Sequence, residues 1–499
     1  VILTRILDIY CHSLNPEELV NNNMFTDFFT GNSLSMAKAP SSLHIAMYPW
    51  FALGHFTPFL LLSNKLAQKG HTISFFIPTK SQTKVEHLNH FPDLITFVPI
   101  NVPHVDGLPS GAETTHDVHR SLFPLIMTAM DRTEPEVELL LRHLKPHFIF
   151  FDFLHWIPNL ARRLGIKSLA YITGGAVFVS YVLSPARERQ LDVGRELSEA
   201  DFMRPPLGCP DSSSFEIHLH EARGFLRFWS MKFGSDILFR HRLITCLSEC
   251  DALGFRACRE IDGPFLDYLE TQFRKPLLIS GPLLPNPGTT LDEKWVNWLG
   301  GFNRASVVYC AFGSEATLRE DQFKELVLGL ELSGLPFLAA LRPPSGVESI
   351  EKALPDGFRE RVGGRGVVHE GWVQQPQILE HPSVGCFVTH CGCGSLTEGL
   401  VNQCELVMIP HFLDQSYNAR LIGNSLKVGI EAKKDEEDGL FSKESVCKAI
   451  RTVMEEDNEF GREVRANHAK LRKLLRRTEI ESSYIDDFSQ KLQNLILPG

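Results

Sequence analysis

The sequence predicts an α/β protein with two parallel β-sheets, and three observations support this prediction. Short apolar runs alternate with longer amphipathic segments, which is typical of strands joined by helices in a parallel sheet. The chain has 499 residues, too many for one ordinary domain. A Pro- and Gly-rich stretch at 281–288 separates two such alternating series. We therefore expect two α/β domains.

The first series begins at Leu43, and its apolar runs predict six strands. These strands lie at 43–48, 72–77, 95–100, 148–151, 168–172 and 252–255. One helix is predicted over 57–69, where an amphipathic segment stops at Gly70, and another over 121–144 from its helical period. The loop at 101–115 and the Pro- and Ser-rich stretch at 205–214 fit neither pattern.

The second series predicts five more strands, with helices between them. They lie at 307–312, 336–341, 367–370, 384–389 and 406–409. The end of the chain, 460–495, has a helical period and is highly charged. At the other end, residues 1–35 lack the basic start and long apolar centre of a secretory signal. Met36 is the expected natural start, and residues 1–40 are predicted to form a poorly ordered extension.

The composition argues against two classes of partner. The formal net charge is −10 and no block of Lys or Arg stands out, which disfavours nucleic acid and anionic membranes. No uninterrupted apolar run reaches transmembrane length, so we expect no membrane insertion. The 11 cysteines are odd in number and scattered, which fits reduced thiols in a cytoplasmic protein.

Residues 372–415 contain the strongest functional pattern. The predicted strand 384–389 runs into His390, and a Cys-Gly-Cys-Gly turn follows. Ser395 then stands where a helix N-cap is expected, with Glu398 at the capping-box spacing. A helix N-terminus binds phosphate well, because its backbone N–H groups are unpaired and carry partial positive charge. Gly392 and Gly394 remove the side chains that would keep an anion from the backbone.

Polar residues in the same stretch follow predicted strands and should reach one edge of the sheet. Ligands of parallel sheets bind beyond the carboxyl ends of the strands. The residues expected at that edge are His390, Ser395, Glu398, Asp414 and Gln415. Together they suit a ligand with a diphosphate, a ribose and a polyhydroxylated end.

This stretch resembles the signature box of the plant secondary-product UDP-glycosyltransferases over its whole span. The matching residues are Trp372, Gln375, Pro376, Gln377, Leu379, His381, Gly385, His390, Cys391, Gly392, Ser395, Glu398, Pro410, Asp414 and Gln415. The resemblance implies the GT-B fold, in which two Rossmann-like domains face a cleft. It also implies a metal-independent transfer of sugar from UDP-sugar to a hydroxyl, with inversion at the anomeric carbon.

The resemblance implies a role for each matching residue of the donor site. Trp372 corresponds to the residue that stacks on the uracil ring, with Val373 and Gln375 beside the base. Glu398 corresponds to the carboxylate that accepts hydrogen bonds from the ribose. The expected diphosphate contacts are His390, Ser395, Ser314 and the backbone around Gly394. The expected contacts to the donor sugar are Asp414 and Gln415.

The sequence departs from the family pattern at two adjacent positions. The family usually has Trp-Asn between the Gly and the Ser, and this chain has Cys393 and Gly394. The loss of the Asn side chain removes one phosphate donor and leaves backbone N–H groups to compensate. Such small-residue variants are commoner in the branch that adds a sugar to a sugar.

His55 and Asp152 are the catalytic candidates. A histidine suits the role of general base because its pKa lies near working pH. His55 follows the first predicted strand in a Gly-His context that resembles that of the family's base. Asp152 ends the strand 148–151 and resembles the carboxylate that orients the base. Without the resemblance, His55 would be read as a loop residue and Asp152 as a helix N-cap.

A metal site, a dinucleotide-dependent oxidoreductase and a non-catalytic binding protein are the alternative interpretations. Cys391 and Cys393 flank Gly392 beside His390, but they lack the spacing of a structural zinc site, so no metal is expected. A dinucleotide-dependent oxidoreductase should have a G-x-G-x-x-G fingerprint after its first strand, and this chain has none there. A non-catalytic UDP-sugar-binding protein stays open on the box alone, although His55 and Asp152 favour an enzyme.

The resemblance also implies domain bounds and substrates. We expect an acceptor domain at 41–281, a linker at 282–297, a UDP-sugar domain at 298–470 and a helix at 471–499 that packs back on the first domain. The expected acceptor is a small-molecule glycoside, best a flavonoid glycoside, with direct attack on an aglycone as the alternative. In the family pattern Gln415 favours UDP-glucose over UDP-galactose and leaves UDP-xylose, UDP-arabinose and UDP-rhamnose open. A monomer is expected.

Overall fold

The computed structural model describes residues 42–190, 196–210, 215–284, 290–313 and 316–497. Its strands form two parallel sheets, one with seven strands and one with six. The predicted extension at 1–40 lies outside the described residues, as do part of the predicted linker and Ser314.

The seven-stranded sheet comes from the first half of the chain. Its strands are β1 His44–Tyr48, β2 Thr72–Pro78, β3 Ile95–Ile100, β4 Phe148–Phe151, β5 Lys167–Ile172, β6 Ala252–Phe255 and β7 Leu277–Ile279. They lie in the order β3-β2-β1-β4-β5-β6-β7. The chain therefore changes direction across the sheet between β1 and β4, and such switch points are where ligands of α/β sheets bind.

The six-stranded sheet repeats this arrangement in the second half. Its strands are β8 Val307–Ala311, β9 Phe337–Leu341, β10 Gly366–Glu370, β11 Val384–Thr389, β12 Glu405–Met408 and β13 Gly429–Glu431. They lie in the order β10-β9-β8-β11-β12-β13, which puts the switch point between β8 and β11. The central strands β8 and β11 are fully buried, as strands covered by helices on both faces must be.

Helices connect the strands throughout. In the first half they are Leu53–Gln68, Gln82–Val85, Phe123–Asp131, Glu134–Leu144, Ile157–Leu164, Ala176–Phe178, Pro185–Arg189, Glu199–Phe202, Leu219–Ser230, Phe239–Glu249 and Arg259–Phe273. Short 3₁₀ turns occupy Thr79–Ser81, Glu86–Leu88, Thr115–Asp117 and Arg120–Leu122, and a π-helical turn occupies Val179–Leu183.

The second half has the following helices. They are Glu293–Gly300, Glu320–Leu332, Ile350–Ala353, Phe358–Val362, Gln375–Glu380, Cys393–Val401, Asp414–Arg420, Lys443–Met454, Glu459–Leu475 and Thr478–Ile496. A π-helical turn occupies Leu421–Ser425. Among the residues that the structure describes, no helix is both long and apolar enough to cross a membrane.

All the predicted strands are present, and their ends differ from the prediction by at most one residue. The sequence missed β7 and β13, each only three residues long, because runs this short carry no periodicity. The single helix predicted over 121–144 is wrong. The chain forms two helices there, because Pro135 in the first turn of Glu134–Leu144 lacks the N–H that a continuous helix needs.

The last helix, Thr478–Ile496, packs against the seven-stranded sheet. His71 Nε2 lies 2.8 Å from Ser489 Oγ, and the Phe150 ring contacts the Phe488 ring at 6.1 Å between centroids. Ile485 and Leu492 of the same helix are fully buried in the core of that sheet. The end of the chain therefore completes the core of the first half.

A buried ion cluster joins the two halves. Arg420 Nη2 donates to both carboxylate oxygens of Glu221 at 2.9 and 3.0 Å, and Nη1 contacts Glu431. The side chains of Arg420 and Glu221 are about 5% exposed or less. Two desolvated charges in such a pair are stable only together.

We predict that Glu221→Gln lowers the free energy of unfolding by about 3 kcal/mol, because the Arg420 charge stays buried with Glu431 as its one remaining carboxylate. Urea denaturation measures this change. The matched control is Glu463→Gln, which breaks the exposed pair with Lys427 and should cost less than about 1 kcal/mol. Equal effects from the two variants would contradict a stabilising role for the cluster.

Candidate active site

The structure brings His55 and Asp152 together at the switch point of the first sheet. β1 and β4 are parallel neighbours with Tyr48 opposite Phe151, so the residues beyond their carboxyl ends meet. His55 Nδ1 lies 2.5 Å from Asp152 Oδ2. His55 stands in the first turn of the helix Leu53–Gln68 and is about a quarter exposed, whereas Asp152 is buried.

Three further contacts fix this pair. The backbone N–H of Trp50 donates to Asp152 Oδ1 at 2.5 Å, so each carboxylate oxygen has its own donor. Thr173 Oγ1 lies 3.2 Å from His55 Nδ1. The Phe153 ring meets the His55 ring edge-on at 5.6 Å between centroids. The imidazole therefore has a defined orientation, with Nδ1 directed to the carboxylate.

The second part of the site is the loop between β11 and the helix Cys393–Val401. The predicted Ser395 N-cap is wrong, because Gly392 is the N-cap and Ser395 is the third helical residue. Cys391 adopts a left-handed conformation with φ 70°, which turns the chain early and starts the helix three residues sooner than predicted. The unpaired N–H groups at this end therefore belong to the residues around Gly394.

The His390 ring packs against two glycines, Gly392 and Gly313, and leaves no room for a side chain at either position. A Cβ on Gly392 would be 2.7 Å from His390 Nε2, and one on Gly313 would be 3.0 Å from Cε1. Burial lowers the pKa of His390 to about 4. The imidazole is therefore neutral at pH 7, so it can exchange hydrogen bonds with an anion but brings no charge.

Gln375 organises the side of the site beside that helix. Its Nε2 donates to Glu398 Oε2 at 2.8 Å and to Ser395 Oγ at 3.2 Å, and its Oε1 accepts from Tyr309 at 3.3 Å. Burial raises the pKa of Glu398, and the hydrogen bond from Gln375 opposes that rise. Glu398 thus pairs with Gln375 and not with a capping residue.

Trp372 stands at the surface beside this group. It is 76% exposed, far more than is usual for such a large apolar side chain, while the next residue, Val373, is buried. An exposed indole only three residues before Gln375 offers a flat face for stacking on a base.

Asp414 and Gln415 begin the helix after β12. Asp414 Oδ2 accepts from Asn418 Nδ2 at 3.2 Å and lies 3.7 Å from Cys393 Sγ. Burial raises the pKa of Asp414, and these two contacts oppose the rise. Gln415 Oε1 accepts from the backbone N–H groups of His411 and Phe412, which directs its amide donor elsewhere.

The sequence missed several residues that shape this site. Trp50, Thr173, Gly313 and Asn418 all hold predicted residues in place. Thr173 and Gly313 each follow a strand, so the sheet order would have placed them at the right edge. No local sequence pattern marks the backbone N–H of Trp50.

In the described parts of the chain, no three metal-ligating side chains are grouped closely enough to hold a metal ion. Cys391 and Cys393 point to different partners: the Cys391 thiol to the carbonyl of Thr389, and the Cys393 thiol to Asp414.

Comparison with known proteins adds independent findings. Residues 301–466, which include the loop after β11, match the profile of the family described as UDP-glucoronosyl and UDP-glucosyl transferase. The chain is 60% identical to a cyanidin 3-O-galactoside 2''-O-xylosyltransferase of Actinidia chinensis var. chinensis, over 91% of this chain and 99% of that protein. It is 54% identical to an anthocyanidin 3-O-glucoside 2''-O-glucosyltransferase of Ipomoea nil, over 92% of this chain and 100% of that protein.

The fold is also found among solved structures. UGT2 of Phytolacca americana, complexed with UDP-2fluoro-glucose and pterostilbene, superposes with a TM-score of 0.73 at 22% identity. The match covers 91% of this chain and 100% of that one.

Proposed function

Since the chain belongs to the UDP-glucoronosyl and UDP-glucosyl transferase family, we propose that it transfers a sugar from UDP-sugar to a hydroxyl on the sugar of a flavonoid glycoside. The observation that carries the proposal is the His55–Asp152 pair at 2.5 Å, at the switch point of the first sheet. A protein that only bound UDP-sugars would have no use for a histidine oriented by a carboxylate.

His55 is the general base of the proposed reaction. Its Nδ1–H donates to Asp152, which leaves Nε2 as the nitrogen that takes the proton of the acceptor hydroxyl. The oxygen attacks the anomeric carbon as the bond to the UDP oxygen breaks, and the configuration inverts. Asp152 stabilises the imidazolium that forms. No carboxylate nucleophile and no metal ion are required for this single displacement.

The loop after β11 receives the departing diphosphate. The unpaired N–H groups at the start of Cys393–Val401 supply partial positive charge, and neutral His390 and Ser395 supply hydrogen bonds. We further propose that Trp372, Val373 and Gln375 hold the uracil and that Glu398 holds the ribose. Asp414 and Gln415 would then bind the hydroxyls of the donor sugar.

The substrates follow from the relatives and from the box. The relatives from Actinidia and Ipomoea are named for transfer to a sugar that is already attached to an anthocyanidin. One is named for xylose and the other for glucose. Gln415 favours UDP-glucose over UDP-galactose but does not separate UDP-glucose from UDP-xylose. We propose UDP-glucose as the donor, with UDP-xylose as the alternative. Both parts of the site come from one chain, so a monomer suffices. The ten cysteines among the described residues are free, which supports a reducing, cytoplasmic setting.

A donor–acceptor matrix tests this function. Purified protein is incubated with UDP-glucose, UDP-xylose or UDP-galactose and either an anthocyanidin or flavonol 3-glucoside or the free aglycone, and the product mass is read. We expect a gain of one hexose on the glucoside with UDP-glucose. A mass gain on the aglycone alone would show that the acceptor is not a glycoside. A mass gain of one pentose alone would show that the donor is UDP-xylose and not UDP-glucose.

We predict that Trp372→Ala weakens UDP binding about tenfold, because the uracil loses its stacking partner. The melting temperature should not change, since the side chain is 76% exposed. Calorimetric titration with UDP measures the first effect and thermal unfolding the second. Phe460→Ala removes an aromatic side chain that is 51% exposed on the helix Glu459–Leu475 and should leave UDP affinity unchanged. Unchanged affinity in the Trp372 variant would place the uracil elsewhere.

A further inference from the structure

Arg256 reaches from the first sheet to the donor side of the cleft. It directly follows β6, on the far side of β5 from β4. A Cβ added to Gly394 would lie 3.4 Å from its Nη1, so the guanidinium lies against the start of the helix Cys393–Val401. The first half of the chain thus places a cation beside the phosphate-binding loop of the second half.

The guanidinium is incompletely satisfied by the protein. Nη2 donates to the carbonyl of Leu283 at 3.2 Å. Nε is buried and has no hydrogen-bond partner among the described residues. Five donors on a planar group are suited to two oxygens of a carboxylate or phosphate, and leaving a buried donor unpaired is costly. An anion brought to this position would satisfy the donors that the protein leaves open.

The position of the cation coincides with the departure of the sequence from the family pattern. Gly394 stands where the family usually has Asn, and its missing side chain is the space that Arg256 Nη1 adjoins. The neutral His390 adds no charge to the loop. Without Arg256, the diphosphate would meet only the partial charges of the helix N-terminus.

We propose that Arg256 binds the diphosphate of the UDP-sugar from the opposite side of the cleft and replaces the amide donor lost at Gly394. This inference rests on the proposed function and adds a residue from the first half to the donor site. Arg256 also stabilises the leaving group, because the negative charge on the UDP oxygen grows as the bond to the sugar breaks. Arg256 takes no covalent part in the reaction. The acceptor oxygen still forms the bond to the anomeric carbon, the bond from that carbon to the UDP oxygen still breaks, and no further reactant is needed.

The first test compares two ligands that differ only in the diphosphate. Calorimetric titration gives the affinity of the wild type, Arg256→Ala and the control Arg259→Ala for UDP and for uridine. Arg259 is an exposed arginine three residues further on, at the start of the helix Arg259–Phe273, and it is paired with Asp267. We expect Arg256→Ala to weaken UDP binding about 10- to 100-fold and to leave uridine binding and the control unchanged. An unchanged UDP affinity, or an equal loss for both ligands, would overturn the proposal.

The second test restores the missing amide. Gly394→Asn should weaken UDP binding in the wild type, where the new side chain competes with Arg256 for space. In the Arg256→Ala background the same change should regain affinity for UDP. If the two changes weaken UDP binding additively in the double variant, Arg256 does not replace the amide donor at position 394. A wild type that binds no UDP would instead reject the proposed function itself, and the two failures are therefore distinguishable.

Discussion

His55→Ala should abolish sugar transfer and leave the affinity for UDP unchanged. The acceptor hydroxyl is a poor nucleophile until its proton is taken, and His55 is the group whose orientation suits that step. A general base contributes about 10²- to 10⁴-fold to the rate, so kcat should fall by at least about 10²-fold. Steady-state rates with the glucoside acceptor and titration with UDP measure the two properties separately.

The control for this variant is His143→Ala, which changes an exposed histidine of the helix Glu134–Leu144. It should leave both rate and affinity at wild-type values. A His55 variant that transfers sugar at a near-normal rate would show that another group takes the proton. Loss of UDP binding together with activity would mean that the change had disturbed the cleft.

Asp152→Asn should lower kcat by about 10²- to 10⁴-fold with little change in the KM of either substrate. The Asn carbonyl can still accept from the N–H of Trp50, but its amide then turns N–H donors toward His55 Nδ1. The imidazole must present a lone pair at Nδ1 and carry its proton on Nε2. A protonated Nε2 cannot take the proton of the acceptor, so the base is inactive although its position is kept.

Nitrogen NMR of the labelled histidine distinguishes this tautomer effect from a collapse of the site. Wild type should show the proton on Nδ1 of His55, and the Asn variant should show it on Nε2. The control is Asp251→Asn, which alters a carboxylate beside β5 that binds Ser168 and Lys167. It should not affect kcat. An Asp152→Asn enzyme with wild-type kcat would remove Asp152 from the mechanism.

The predicted GT-B fold, with two Rossmann-like halves, and the family membership are both confirmed. Strands such as Phe148–Phe151 can be recognised from the local sequence alone, because a strand covered on both faces must be apolar throughout. The pairing of His55 with Asp152 depends on β1 lying beside β4. The adjacency of β1 and β4 can be predicted only when a resemblance to a known fold supplies the order of the strands in the sheet.

The rest of the site could not be predicted because it depends on contacts between distant segments. Ser395 and Glu398 have the spacing of a capping box, yet the left-handed turn at Cys391 starts the helix before Ser395. Both side chains then accept hydrogen bonds from Gln375, which is distant in sequence. Arg256 carries no motif, and its nearness to Gly394 exists only when the two sheets are assembled. Local patterns give the elements, whereas the donors around a ligand come from tertiary structure.

The docking of the helix Thr478–Ile496 on the first sheet has a consequence for biosynthesis. Multidomain chains commonly fold from the N-terminus as the ribosome releases them. Here the core around β1 and β4 lacks Ile485, Phe488 and Leu492 until the end of the chain is made. At about 5–20 residues per second, that delay after β7 is roughly 10–40 s. The nascent first half therefore carries an uncovered apolar surface for that time, which is a surface that chaperones recognise.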